Sequence, residues 1–136
     1  MTAGPLASVP VADEERLARF VFTERHIRKS DGTVKAEALA PFKHIEMSVT
    51  RHRDLPQEQV WALGAKVAEA RKLPLIGRAD FLAVKAREQS LDVKPDEPPP
   101  NHANVSGWPP DKPAQMIRAL EIATSATYVA NPANAA

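Results

Sequence analysis

Six consecutive residues, Ile45-Glu46-Met47-Ser48-Val49-Thr50, alternate between apolar and polar. That period of two places Ile45, Met47 and Val49 on one face of a strand and Glu46, Ser48 and Thr50 on the other. A strand with one apolar face must bury it against another layer, and the next stretch offers one. Asp54-Leu55-Pro56-Gln57 opens a helix, because proline fits a first turn and an acidic residue suits the N-terminal dipole. Val60, Leu63, Val67 and Ala70 then recur at helical spacing with Trp61 beside them, and all five are read as core. Gly64, inside the same helix, predicts the close approach of another helix backbone.

The remaining punctuation extends this α+β reading. Leu17 to Phe22 is rich in β-branched and aromatic residues and reads as a strand, with a helical turn over Glu14 to Phe20 as the alternative. Ser30-Asp31-Gly32-Thr33 supplies a turn that reverses the chain. Residues 79–89 read as a second helix burying Phe81, Leu82, Val84 and Ala86, and Leu91-Asp92-Val93 as a short strand. Asp111 caps a third helix over 112–129, with Gln115, Arg118, Glu121 and Ser125 on its polar face. The predicted architecture is a small antiparallel sheet from the N-terminal half packed against about three helices. A disordered arm is expected over 1–12, one domain over 13–129 and a frayed tail over 130–136.

Composition narrows the function classes. The 136 residues suffice for one self-supporting core. Eighteen Lys plus Arg against seventeen Asp plus Glu argue against binding to nucleic acid or membrane by bulk charge alone. Without cysteine there is neither a disulfide framework nor a thiolate metal site, which suits a reducing compartment, and the cytoplasm is the expected location. No basic leader and no apolar run long enough to span a bilayer is present, so export and membrane contact are not expected. The chain lacks a phosphate loop, a dinucleotide-binding turn and a nucleophile elbow. The four histidines, His26, His44, His52 and His102, show no metal-ligand spacing, so neither a metal nor a cofactor is expected.

Two constellations remain. Pro98 to Pro110 reads as a stiff, proline-clamped loop carrying His102, Asn104, Ser106, Gly107 and Trp108, with the indole expected to be buried as a plug. Arg78 and Asp80 stand on alternate positions at the start of the 79–89 helix, where Asp80 caps and Arg78 pairs with a carboxylate, unless both line a cleft with His102 and Asn104. The second constellation is basic: Arg25, Arg28, Lys29, Lys35, Lys43, Arg51 and Arg53, interleaved with His26, His44 and His52. Residues 1–53 carry nine Lys plus Arg and seven Asp plus Glu, so a solvated hairpin face outweighs a phosphate-binding surface.

Gly77-Arg78-Ala79-Asp80 together with His102-Ala103-Asn104-Val105-Ser106-Gly107-Trp108-Pro109 resembles a pattern shared by a family of small uncharacterised bacterial proteins. The resemblance spans about residues 16 to 128 and implies a bacterial cytosolic protein but no particular activity.

The leading functional expectation is a small soluble module that binds an anionic ligand, a nucleic acid or nucleotide, or else a protein partner. Arg78, Asp80, Asn104, Arg51 and Arg53 are its expected ligand-binding residues. The alternative is a small phosphodiester-directed enzyme with His102 and His26 as general acid and base. A third reading is a structural subunit that uses the apolar excess of the last helix as an interface.

Overall fold

A computed structural model describes residues 9–41 and 45–134. Six strands form one antiparallel sheet: β1 (Arg16–Val21), β2 (Met47–Arg51), β3 (Gly77–Leu82), β4 (Asp92–Pro95), β5 (His102–Ser106) and β6 (Thr127–Ala130). Three helices join them, α1 (Gln57–Arg71), α2 (Ala83–Arg87) and α3 (Lys112–Ser125), and the strand order is β4-β5-β2-β1-β3-β6. The fold is α+β, as the alternating and helical patterns predict. The sheet draws on more of the chain than the N-terminal half, because β3 to β6 all come from the second half.

Strand alternation gives the sheet two unlike faces. Leu17, Val21, Met47, Val49, Ala79, Phe81, Val93, Ala103 and Val105 point to one side and bury against Ala119, Ile122 and Ala123 of α3, Ala83 and Ala86 of α2, and Leu39 in a 3-10 turn. On the opposite face Ala18 and Phe20 of β1 pack against Val60 of α1 in a second, smaller cluster. The buried line on α1 is Val60, Gly64 and Ala68, one position round from the predicted stripe, so Ala70 is exposed and Leu63 and Val67 are half-buried.

Gly64 is required for close approach, though to a ring rather than to a helix. A Cβ at this position would lie 2.5 Å from Phe20 Cε1 and 2.8 Å from Cδ1. Phe20 is buried, so its ring has little room to swing aside. Gly64→Ala is therefore expected to lower the urea midpoint, overpacking of about 1–3 kcal/mol outweighing the roughly 1 kcal/mol that alanine gains in a helix. A raised midpoint would show instead that the ring yields.

Several local expectations are corrected. Residues 77–82 form a strand, not the start of a helix, because β1 pairs along its whole length on one side and β6 along four residues on the other. Only 83–87 is helical. The segment expected as a proline-clamped loop contains β5, whose His102, Asn104 and Ser106 alternate with buried Ala103 and Val105. Helix α3 stops at Ser125, and Thr127-Tyr128-Val129 turns back as an edge strand. Part of the predicted tail is anchored, with Asn131 N–H donating to the Ile76 carbonyl and Asn131 Nδ2 to that of Leu75. Ile45 has φ 57° and lies outside β2. Residues 1–8 of the predicted arm, and Lys43 and His44 of the basic cluster, lie outside the described residues. Val11, also assigned to the arm, is buried in the core.

Candidate functional site

Because Arg78 and Asp80 are two apart on a strand, both point to the α1 face of β3. There Arg78 Nε donates to Asp80 Oδ1 at 3.0 Å and to Oδ2 at 3.2 Å. Asp80 Oδ1 also lies 3.1 Å from His52 Nε2, which must carry the hydrogen because a carboxylate only accepts. All three are buried, with exposures of 3% for Arg78, 8% for Asp80 and 6% for His52. Helix α1 closes the cluster. Gln57 Oε1 accepts from Arg78 Nη2, and the Trp61 ring centroid lies 4.6 Å from Arg78 Cζ, within cation–π range.

Only one edge of the guanidinium is fully engaged. Asp80 takes Nε, the neutral Gln57 amide takes Nη2, and Nη1 has no hydrogen-bond partner. Leaving a buried donor unpaired costs about 1–3 kcal/mol. Arg78, Asp80 and Gln57 border a groove of about 500 Å³ that is also lined by Arg16, Ser125 and Thr127, the last being the β6 partner of Asp80. A second groove of about 390 Å³ adjoins it through Arg16 and Gln57 and is lined by His52 and Arg53.

His102 and Asn104 do not join this cluster. The register runs His102 to Thr50, Thr50 to Ala18 and Ala18 to Asp80, so three inter-strand spacings, about 14 Å, separate His102 from Asp80. The imidazole that meets Asp80 is that of His52. His102 has its own partner: Nδ1 lies 2.9 Å from the Asp96 carbonyl, which fixes the hydrogen on Nδ1, and 3.3 Å from Asp96 Oδ2. Asn104 Nδ2 donates to the same carboxylate at 2.7 Å. His26 sits on a 3-10 turn in a different cavity from His102. Burial first, and the nearby cations Arg19, Arg25 and Lys35 after it, hold its imidazole below the ordinary value against the opposing pull of Glu37.

The two basic residues proposed as phosphate ligands part company. Arg53 is exposed and borders the smaller groove. Arg51 points into the core face and is 1% exposed. Its Nε and Nη2 grip the Glu15 carboxylate, while Nη1 and Nη2 donate to the carbonyls of Val9 and Pro10. A guanidinium so occupied is a structural clasp on the N-terminal segment and offers nothing to a phosphate. Trp108 is the buried plug the sequence predicts, with Nε1 donating to the Val105 carbonyl at 2.9 Å.

Sequence reasoning missed His52, Gln57 and Trp61. His52 continues the alternation of β2 beyond Thr50, and Gln57 and Trp61 are one helical turn apart on α1, but which strand each would face is not encoded in that spacing. Among the described residues, no group of three or more His, Cys, Asp or Glu side chains is arranged to hold a metal ion, and no helix is long and apolar enough to cross a membrane. Comparison with protein-family models, curated proteins and solved structures finds no match to this chain.

Proposed function

We propose that this protein is a small binding module for an anionic ligand, whose carboxylate or phosphate group is taken by the Nη1–Nη2 edge of Arg78. The observation that carries this reading is the buried Nη1 without a partner. Asp80 holds Nε and the Trp61 ring covers one side of the guanidinium, so the group is oriented before any ligand arrives. An oxyanion meeting the remaining edge would form two charge-assisted bonds, stronger than the neutral bond to Gln57 that it replaces. Gln57 is exposed on the first turn of α1 and can turn aside without disturbing the core. Arg16 supplies a second cation to the lining of the same groove.

The test is competitive. Binding of phosphate and acetate is followed by thermal shift and titration, against chloride at equal ionic strength. Gln57→Ala is expected to tighten binding by roughly 2–10-fold, because a competing neutral hydrogen bond is gone. Arg78→Lys is expected to lose about tenfold or more, since an ammonium cannot reproduce the planar fork. Unchanged or weaker binding in Gln57→Ala would sink the reading whatever Arg78→Lys does to the fold.

A further inference from the structure

The two edges of the sheet are unlike. At one end β4 is closed to further pairing: the Val93 carbonyl meets Arg87 Nη2 at 3.5 Å, Pro95 carries no N–H, and Lys94 and Asp92 place an ion pair on the strand. At the other end β6, Thr127-Tyr128-Val129-Ala130, has no charge, no proline and, among the described residues, no second neighbouring strand.

Register fixes which groups β6 leaves free. Asn131 N–H donates to the Ile76 carbonyl, and bonded pairs alternate along an antiparallel ladder, so Arg78 with Val129 and Asp80 with Thr127 exchange bonds. The tight fit at Gly77 agrees: a Cβ there would lie 2.6 Å from the Val129 carbonyl oxygen, which therefore faces β3. The N–H and C=O of Tyr128 and Ala130 are left turned outward, and no other described element pairs with them.

A cavity flanks this edge on each face of the sheet. On the Arg78 side the 500 Å³ groove reaches Thr127 and Val129. On the other side a cavity of about 380 Å³ is bordered by Tyr128, Ala130, Ile27, Ile76 and Pro132. Successive side chains of a strand point to opposite faces, so one extended segment paired with β6 would deliver alternate residues to the two cavities.

We propose, resting on the reading of Arg78 as an anion site, that β6 takes an extended acidic peptide as an added strand. A glutamate of the peptide, opposite Val129, reaches the free edge of Arg78, and its apolar neighbours enter the cavity beside Tyr128. That glutamate sits two strand spacings from Arg78, about 10 Å between Cα atoms, a gap that the two long side chains close between them. Arg16, lining the same groove, adds to its preference for negative charge. A second copy of this chain fits less well, because antiparallel pairing of two β6 strands brings only the neutral Thr127 and Val129 to the Arg78 groove.

The experiment titrates the intact protein with acetyl-Ser-Leu-Glu-Leu-Thr-amide, its Gln counterpart, the Glu peptide N-methylated at both leucines, and acetate, following backbone amides by NMR. The Glu peptide is expected to bind about tenfold or more tighter than acetate and to shift the amides of Tyr128 and Ala130, since main-chain bonds add to the charge contact. The Gln and N-methylated peptides should each bind about tenfold more weakly, one losing the charge-assisted bond and the other the pairing. Arg78→Lys should weaken the Glu peptide about tenfold and leave the Gln peptide nearly unchanged. Ala130→Pro removes an outward N–H and no ladder bond, so it should weaken the Glu peptide while acetate binding and the amides away from β6 stay as they were. The N-methylated peptide makes the same test without altering the protein. Acetate binding at Arg78 with no peptide response at β6 overturns the proposal and leaves the anion site standing. Peptide binding that is equal for Glu and Gln, or that survives N-methylation, also overturns it. A peptide-free dimer with its β6 amides protected from exchange overturns it in favour of a second copy. Failure of acetate and the Glu peptide together overturns the Arg78 reading as well.

Discussion

Trp108→Ala is expected to cost about 3–5 kcal/mol of stability, the usual range for deleting a buried large aromatic side chain. The ring is buried in the same core cluster as Val105, Leu91 and Ile122, and its Nε1 donates to the carbonyl of Val105 on β5, which is paired on both sides by β4 and β2. Alanine would remove the apolar area, open a cavity and leave that carbonyl without the indole N–H. For a domain whose total stability lies near 5–15 kcal/mol, this is a large fraction. A urea titration gives the measurement. Trp61 remains as the fluorescent reporter, and an unchanged midpoint would mean that the indole is not packed as described.

Arg51→Ala is expected to be comparably damaging, at about 3–5 kcal/mol, because removing one partner of a buried ion pair strands the other. Glu15 would lose both its bonds to the guanidinium, and the Val9 and Pro10 carbonyls would lose their donor. Loss of the clasp should also make the segment before β1 more susceptible to protease. Replacing the pair together, as Arg51→Met with Glu15→Gln, is expected to cost less than the sum of the two single changes, since neither charge is left buried alone. Arg53→Ala, at an exposed neighbouring position, is expected to stay within about 0.5 kcal/mol of the parent. Equal effects at positions 51 and 53 would contradict the burial that separates them.

Local pattern was informative at several elements and turns. The alternation of Met47 to Thr50, the start of α1 after Pro56, the Asp111 cap and the reversal at Asp31-Gly32 all appear in the structure. Asp111 Oδ2 accepts from Ala114 N at 3.0 Å, the cap bond its position predicts. Pattern is ambiguous at Gly77 to Leu82, although the same alternation is present there, because Arg78 and Asp80 read equally as polar residues at a helix start. Each neutralises the other beneath α1, so a charged pair occupies positions where a strand covered on both faces would otherwise carry apolar side chains. His102 to Ser106 is hidden for a different reason, the prolines on both sides that suggest a loop throughout.

The sequence by itself determined the period of each element, several of its ends and the class α+β, because capping, turn formation and alternation act between residues a few positions apart. It also set the inventory of cations and imidazoles. Only the tertiary structure decided which of them meet. Asp80 could be paired with His52 rather than His102 only once β1 had been placed between β2 and β3, and Arg51 was turned toward Glu15 by the face it occupies in the paired sheet. Coulomb attraction, desolvation and hydrogen bonding act through space, so the partners of a charged side chain follow from strand order and register, which no local spacing contains.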